Sequence, residues 1–164
     1  MSQILSSNST VTLGDTAQAE PTTEGRLVTR IVDNEEIAFK LDRVHISLGK
    51  EAYFDALLQQ WDGFFLIYGT SDAESFDEIF GLHQRILRNE SNQARRPVTL
   101  IADTNRSLCL ERTVTSEQGS LLAAEIGAKY LEVNTGSGEK VIEAFEEMVR
   151  TVRRSERFTL EPES

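Results

Sequence analysis

The hydrophobic pattern turns on one stretch, Asp62 to Phe80, DGFFLIYGTSDAESFDEIF. An unbroken apolar run from Phe64 to Tyr68, with Gly63 and Gly69 at its ends, predicts a strand buried on both faces of a parallel sheet. Gly69 to Asp72 is a polar turn. Ser71 and Asp72 are N-cap types, and Glu74 places a negative charge in the first turn of the helix that follows. That helix carries Phe76, Ile79, Phe80, His83, Ile86 and Leu87 at intervals of three and four. His83 lies on this apolar stripe, which predicts a packed histidine and not a ligand.

Around this unit the pattern repeats. Leu27 to Val32 and Glu36 to Val44 are β-rich and meet at Asp33-Asn34, which predicts an antiparallel hairpin. Glu51 to Trp61 predicts a helix packing through Tyr53, Leu57 and Leu58. Pro97 opens a strand over Val98 to Ala102. Ser116 to Gly127 predicts a helix with Ser116 as N-cap and Gly127 as its left-handed end. Lys129 to Val133 is the last strand, and a final helix begins at Gly138 or Glu139. That helix carries Val141, Phe145, Met148, Val149 and Val152 on one face and runs to about Arg154. The order β-β-α-β-α-β-α-β-α predicts an α/β fold with a largely parallel sheet and right-handed crossovers.

Several segments resemble the Ras-type small GTPases. Asp62 to Leu87 is similar to the family's central strand, turn and helix, down to the Ser-Asp-x-x-Ser-Phe turn and Arg85-Ile86-Leu87-Arg88. Arg112 to Gly127 and Ala128 to Phe145 resemble the segments around its fourth helix and its last strand. Val32-Asp-Asn-Glu35 is similar to its Ile-Asp-Gly-Glu turn. The resemblance implies a Ras-like (P-loop NTPase-like) sheet flanked by helices, with an antiparallel hairpin of the second and third strands, over residues 26–154. Residues 1–25 are expected to be a flexible segment with a short strand at Thr10 to Leu13, and residues 155–164 a polar tail.

The chemistry of that family is not written in the same residues. Its phosphate loop, G-x-x-x-x-G-K-[ST], cradles phosphate oxygens on backbone N–H groups, neutralises charge with Lys and binds Mg²⁺ through Ser/Thr. The motif is absent from the sequence. The nearest segment, Gly14-Asp-Thr-Ala-Gln-Ala-Glu-Pro21, keeps Gly14 but offers Ala19, Glu20 and Pro21 for Gly, Lys and Ser/Thr. A carboxylate in place of an ammonium repels phosphate. A competing alignment makes Thr22 the Mg²⁺-binding Thr of the switch segment, so that the first strand and phosphate loop are missing. In the Asp-x-x-Gly-Gln motif Gly49 survives, with Ile46 for Asp and Lys50 for Gln; the alternative register puts Arg43 at the Asp. In Asn-Lys-x-Asp the segment reads Asp103-Thr-Asn105-Arg106-Ser107, so that Arg106 or Ser107 stands where guanine needs a carboxylate. The Ser-Ala-Lys motif becomes Asn134-Thr135-Gly136, which keeps only backbone donors.

Composition narrows the partners. The chain has 164 residues and a net charge of -10, which disfavours nucleic acid and anionic membranes. A single cysteine, Cys109, excludes an internal disulfide and gives no sign of secretion. No apolar run is long enough to span a membrane, and no C-terminal cysteine offers a lipid anchor; the expectation is a cytoplasmic protein. Two histidines and one cysteine make no recognisable metal site. The resulting expectation is a Ras-like pseudo-GTPase, a protein-interaction or signalling module without efficient GTP hydrolysis and with no cofactor. The alternative is a divergent or truncated small GTPase that still binds GTP or GDP with Mg²⁺ and signals, so enzyme activity stays open. Protein partners are expected at the hairpin edge and the switch-like region, through Leu27, Thr29, Ile31, Tyr53, Leu57 and Trp61.

Overall fold

The computed structural model describes residues 2–5, 26–44, 51–90, 95–105 and 111–160. Its elements are β1 (Ser2–Leu5), β2 (Arg26–Val32), β3 (Glu35–Val44), α1 (Glu51–Leu58), β4 (Gly63–Gly69), α2 (Ala73–Arg88), β5 (Val98–Asp103), α3 (Ser116–Ile126), β6 (Lys129–Val133) and α4 (Val141–Leu160). The strands form one sheet in the order β2-β3-β1-β4-β5-β6. β4, β5 and β6 are parallel, and β2 and β3 form the expected antiparallel hairpin. Asp33 and Asn34 both take positive φ, 51° and 65°, as a two-residue turn matched to strand twist requires.

The centre of the sheet departs from expectation. The slot between β3 and β4 is filled by Ser2–Leu5, antiparallel to both neighbours, with Leu5 opposite Leu41 and Gly63. β3 and β4 would otherwise each carry a row of unpaired backbone groups, and a short strand running in either direction satisfies them. Residues 2–5 are therefore sheet, while the strand expected at Thr10 to Leu13 lies outside the described residues.

Strand alternation sends β4 side chains to two cores. Phe64, Leu66 and Tyr68 pack with Phe54, Leu58, Ile79, Ile86 and Ala123 beneath α1, α2 and α3. Phe65 and Ile67 pack with Phe39, Val133, Met148 and Val149 beneath α4. Phe145 anchors this second core, stacked at 6.1 Å on Phe39 and edge-on at 5.6 Å to Phe65. Every residue from Gly63 to Tyr68 is buried, as the two-faced reading requires.

Helix ends follow local chemistry. Asp72 caps α2 by accepting from the Ser75 N–H at 3.1 Å. α3 is capped by Thr115 rather than Ser116, because Gln118 completes a reciprocal capping box with Thr115. Gly127 ends α3 at φ 67°. α4 begins at Val141, later than expected, because 134–139 close into a tight turn bridged from Asn134 to Glu139. It also runs past Arg154 to Leu160, since neither Gly nor Pro interrupts the chain before Pro162. Arg150 and Arg153 on α4 pair with Asp33 and Glu35 at the hairpin turn and tie that helix to the hairpin.

Candidate functional site

The expected nucleotide-site remnants that are described converge at the C-terminal ends of β5 and β6. Asp103 ends β5, and its carboxylate holds the loop after β6: Oδ2 accepts from the Thr135 hydroxyl at 2.6 Å, and Oδ1 from the Thr135 N–H at 3.1 Å. Oδ1 also accepts from the Asn105 N–H at 3.0 Å. The loop then closes on itself. Asn134 Oδ1 accepts from the N–H groups of Gly136 at 3.0 Å and Ser137 at 3.1 Å, and the Asn134 carbonyl accepts from Gly138. The Asn134 N–H donates to the Glu139 carbonyl. Each backbone N–H from 134 to 138 therefore has a partner inside the protein. Space is short as well: a Cβ built on Gly136 would lie 2.6 Å from Asn105 Oδ1.

This geometry sits in a chain with clear relatives. The family model "Ras family" matches residues 16–154, most of the chain. This chain belongs to the Ras family. It is 32% identical over 139 residues to a "Ras-like protein" of Laccaria bicolor, covering 82% of this chain and 64% of that one. It is 33% identical over 113 residues to "Protein ras-1" of Neurospora crassa, covering 66% and 52% of the two chains. With "Ras-like protein RAS2" of Hydra vulgaris it shares 31% over 108 residues, 66% and 55%. The chain thus spans between about half and two thirds of the length of these relatives. Ras-family members normally bind GTP or GDP with Mg²⁺ and meet protein effectors through their switch regions.

Of the residues singled out as nucleotide-site remnants in this Ras-family chain, Asp103, Asn105, Asn134, Thr135 and Gly136 come together as described, while Gly14, Thr22 and Gly49 lie outside the described residues. The positions that would face the base, Arg106 and Ser107, lie outside them too. The direction of β1 bears on the phosphate side. The chain leaves β1 beside Gly63, the first residue of β4, whereas Thr70, Asp103 and Asn134 lie at the opposite, C-terminal ends of β4, β5 and β6. Among the described residues no group of three or more His, Cys, Asp or Glu side chains could hold a metal ion. No described helix is long and apolar enough to cross a membrane.

The partner-contact candidates separate by exposure. On β2, Leu27 and Ile31 are 70% and 72% exposed, and Thr29 between them is exposed too. Tyr53 on α1 is 45% exposed and Leu57 half-buried. Trp61 is instead a core residue, 3% exposed, in one apolar cluster with Phe54, Leu58 and Phe64. Its carbonyl and that of Leu58 accept from Arg96 Nη1, whose guanidinium lies 4.7 Å over Phe64. Arg85 docks α1 in a similar way, donating to Asp55 at 2.7 Å and lying 5.1 Å over Phe54. His83 is buried as expected, and burial pushes its imidazole below the usual histidine range.

One polar cluster beside the site was not foreseen. Glu132 accepts from Arg112 Nη2 at 2.5 Å, Ser116 Oγ at 2.6 Å and Tyr130 Oη at 2.8 Å. The Arg112 guanidinium, foremost, holds the Glu132 carboxyl down at about 2. Burial raises Tyr130 and Tyr68, whose hydroxyls lie 3.4 Å apart. Arg112 Nε also donates to the Val114 carbonyl, while the N–H groups of Thr113 and Val114 donate to the Thr70 carbonyl. This cluster locks the entry to α3 onto β4 and β6. The signal in sequence was slight: Glu132 and Tyr130 share one face of β6, but their partner Arg112 lies 20 residues away.

Proposed function

We propose that this Ras-family chain is a protein-interaction module that acts without binding or hydrolysing guanine nucleotide efficiently. The observation that carries the reading is the closed loop after β6. Its N–H groups are the donors left at the family's fourth motif, and each is already bonded to Asp103, Asn134 or Glu139. A base oxygen could recruit one only by breaking an internal bond. The sequence adds three supports: no Lys-bearing phosphate loop, no Gln at position 50, and Arg106 or Ser107 for the guanine-binding carboxylate. Two guanine N–H groups left unpaired would cost roughly 1–3 kcal/mol each. The residues do not fit the nucleotide, and no hydrolytic step is assigned to them.

The contact surface we assign is the outer hairpin strand together with α1, through Leu27, Thr29, Ile31, Tyr53 and Leu57, in a cytoplasmic protein. Family membership is equally compatible with the second reading, a divergent GTPase that still binds GTP or GDP with Mg²⁺, and one measurement separates the two. Protein purified without added nucleotide is denatured and its released nucleotide quantified by chromatography. The proposal expects far less than one guanine nucleotide per chain; a stoichiometric amount of GDP or GTP establishes the second reading. For the surface, changing Tyr53 to Ala and Ile31 to Asp should weaken capture of partners while the far-UV spectrum stays native. Unchanged capture sinks the surface assignment.

A further inference from the structure

The inner face of the hairpin does not close fully on α4. Between them lies a cavity of about 260 Å³. Its floor is apolar and buried, made by Val32, Phe39 and Val149. Half-buried Val28 and Leu41 wall it on the strand side, and Ile142, 56% exposed, stands at its mouth. Strand alternation puts Arg30 in one row with Val28 and Val32, so an exposed arginine edges an otherwise apolar chamber. Among the described residues lining it, Glu146 carries the other charge. The two charges are not equally free. Glu146 accepts from Arg150 Nη2 at 3.2 Å, and Arg150 also pairs with Asp33. Arg30 makes no ion pair with a described residue. The charge left unanswered at the mouth is therefore a cation. The cavity shares no described lining residue with the loop after β6.

We propose that this cavity binds a free medium-chain fatty carboxylate, with its tail against Phe39 and Val149 and its carboxylate on Arg30. The planar guanidinium fork suits that head group, because it can donate two parallel hydrogen bonds to one carboxylate. Volume sets the tail. An apolar cavity of about 150 Å³ holds benzene, so in proportion about 260 Å³ holds a chain of roughly ten carbons. Each CH₂ moved from water into such a lining strengthens binding about fourfold until the space is full. A cationic amphiphile fits less well, since it would have to take Glu146 from Arg150, and a neutral one leaves Arg30 unanswered. The net charge of -10 opposes anions at long range. At 0.15 M salt, however, the Debye length is about 8 Å, so distant carboxylates are screened while a head group touching Arg30 is not.

The test is isothermal titration of the full chain with octanoate, decanoate and dodecanoate, and with decylamine and decanol as head-group controls. Decanoate should bind saturably, one per chain, and about tenfold or more tighter than octanoate. Dodecanoate should gain less than about twofold over decanoate, because the cavity is already full. Decylamine and decanol should each bind at least about tenfold more weakly than decanoate. Arg30→Glu should weaken decanoate binding by at least about tenfold, and Arg30→Lys by less. Ile142→Trp, which fills the mouth, should abolish binding. Arg30 and Ile142 are exposed, so each variant should keep the native thermal midpoint; should Ile142→Trp lower it, the Arg30 pair alone decides. Absence of saturable decanoate binding overturns the proposal. So does decylamine or decanol binding as tightly, an affinity that climbs fourfold per CH₂ into dodecanoate, or an Arg30→Glu chain with unchanged affinity. None of these readouts depends on whether the chain holds guanine nucleotide, so failure here and failure of the interaction-module reading are told apart.

Discussion

Gly119 and Gly81 both sit inside helices, and the same substitution should move stability in opposite directions. Alanine in a helix interior is ordinarily favoured over glycine by about 1 kcal/mol, less in the first turn where Gly119 lies. At Gly81 on α2 an added Cβ meets nothing within 4 Å, so Gly81→Ala should stabilise by roughly 0.5–1 kcal/mol. At Gly119 on α3 the Cβ would lie 2.3 Å from Tyr68 Oη and 2.6 Å from Tyr130 Cε2. Neither ring yields cheaply. Tyr68 is 0% exposed beneath Phe76, at 4.9 Å between ring centroids, and the Tyr130 hydroxyl is held by Glu132. Overpacking of this kind costs about 1–3 kcal/mol, which exceeds the propensity gain. Gly119→Ala should therefore destabilise by about 1–2 kcal/mol net. Urea denaturation followed by circular dichroism reads both variants against the native chain. Tyr68→Phe removes the nearest clashing atom, so the double variant should recover at least about 0.5 kcal/mol relative to additivity. A Gly119→Ala chain as stable as the native protein would refute the packing of α3 on β4 and β6.

Three further outcomes follow from the same geometry. Thr135→Val removes the hydroxyl bond to the Asp103 carboxylate and should destabilise by about 1–3 kcal/mol, with faster amide exchange at residues 134–138; unchanged exchange would show that Asp103 does not hold the loop. Glu132 has its carboxyl lowered from 4.5 to about 2, so its contribution is present above pH 4.5 and is lost as pH falls toward 2. That contribution is about 1–2 kcal/mol after discounting for partial exposure, and a stability-against-pH curve of Glu132→Gln should be flatter than the native curve over that interval. Arg96→Met keeps the stem over Phe64 but leaves the Leu58 and Trp61 carbonyls without their donor, and should cost about 1–3 kcal/mol with a changed Trp61 fluorescence; an unchanged spectrum and midpoint would count against this anchor for α1.

Much of the fold could be read from residue patterns because its signals were local. The apolar run of β4 matched the structure residue by residue, and Lys129–Val133 did so at both ends. In the stripe of α2, Ile79, His83 and Ile86 are buried and Phe76 packs on the core, but Phe80 is exposed and Leu82 packs there instead. What escaped depended on distant partners. Ser-Gln-Ile-Leu carries no strong strand pattern, and it becomes β1 only because β3 and β4 leave a slot. Trp61 looks like an exposed anchor in sequence, and only the packing of α1 over Phe64 buries it. At the candidate site the residue types of 103–105 and 134–136 were legible as altered motifs. That Asp103 and Asn134 consume the loop's N–H groups required three dimensions.

As an interaction module, this Ras-family fold should persist without guanine nucleotide. A thermal melt of the purified chain, with and without millimolar GTP and Mg²⁺, tests it most directly, because a ligand that binds the native state raises the midpoint once its concentration exceeds the dissociation constant. One cooperative transition whose midpoint does not move is the expected result. A midpoint that climbs with GTP concentration would contradict it.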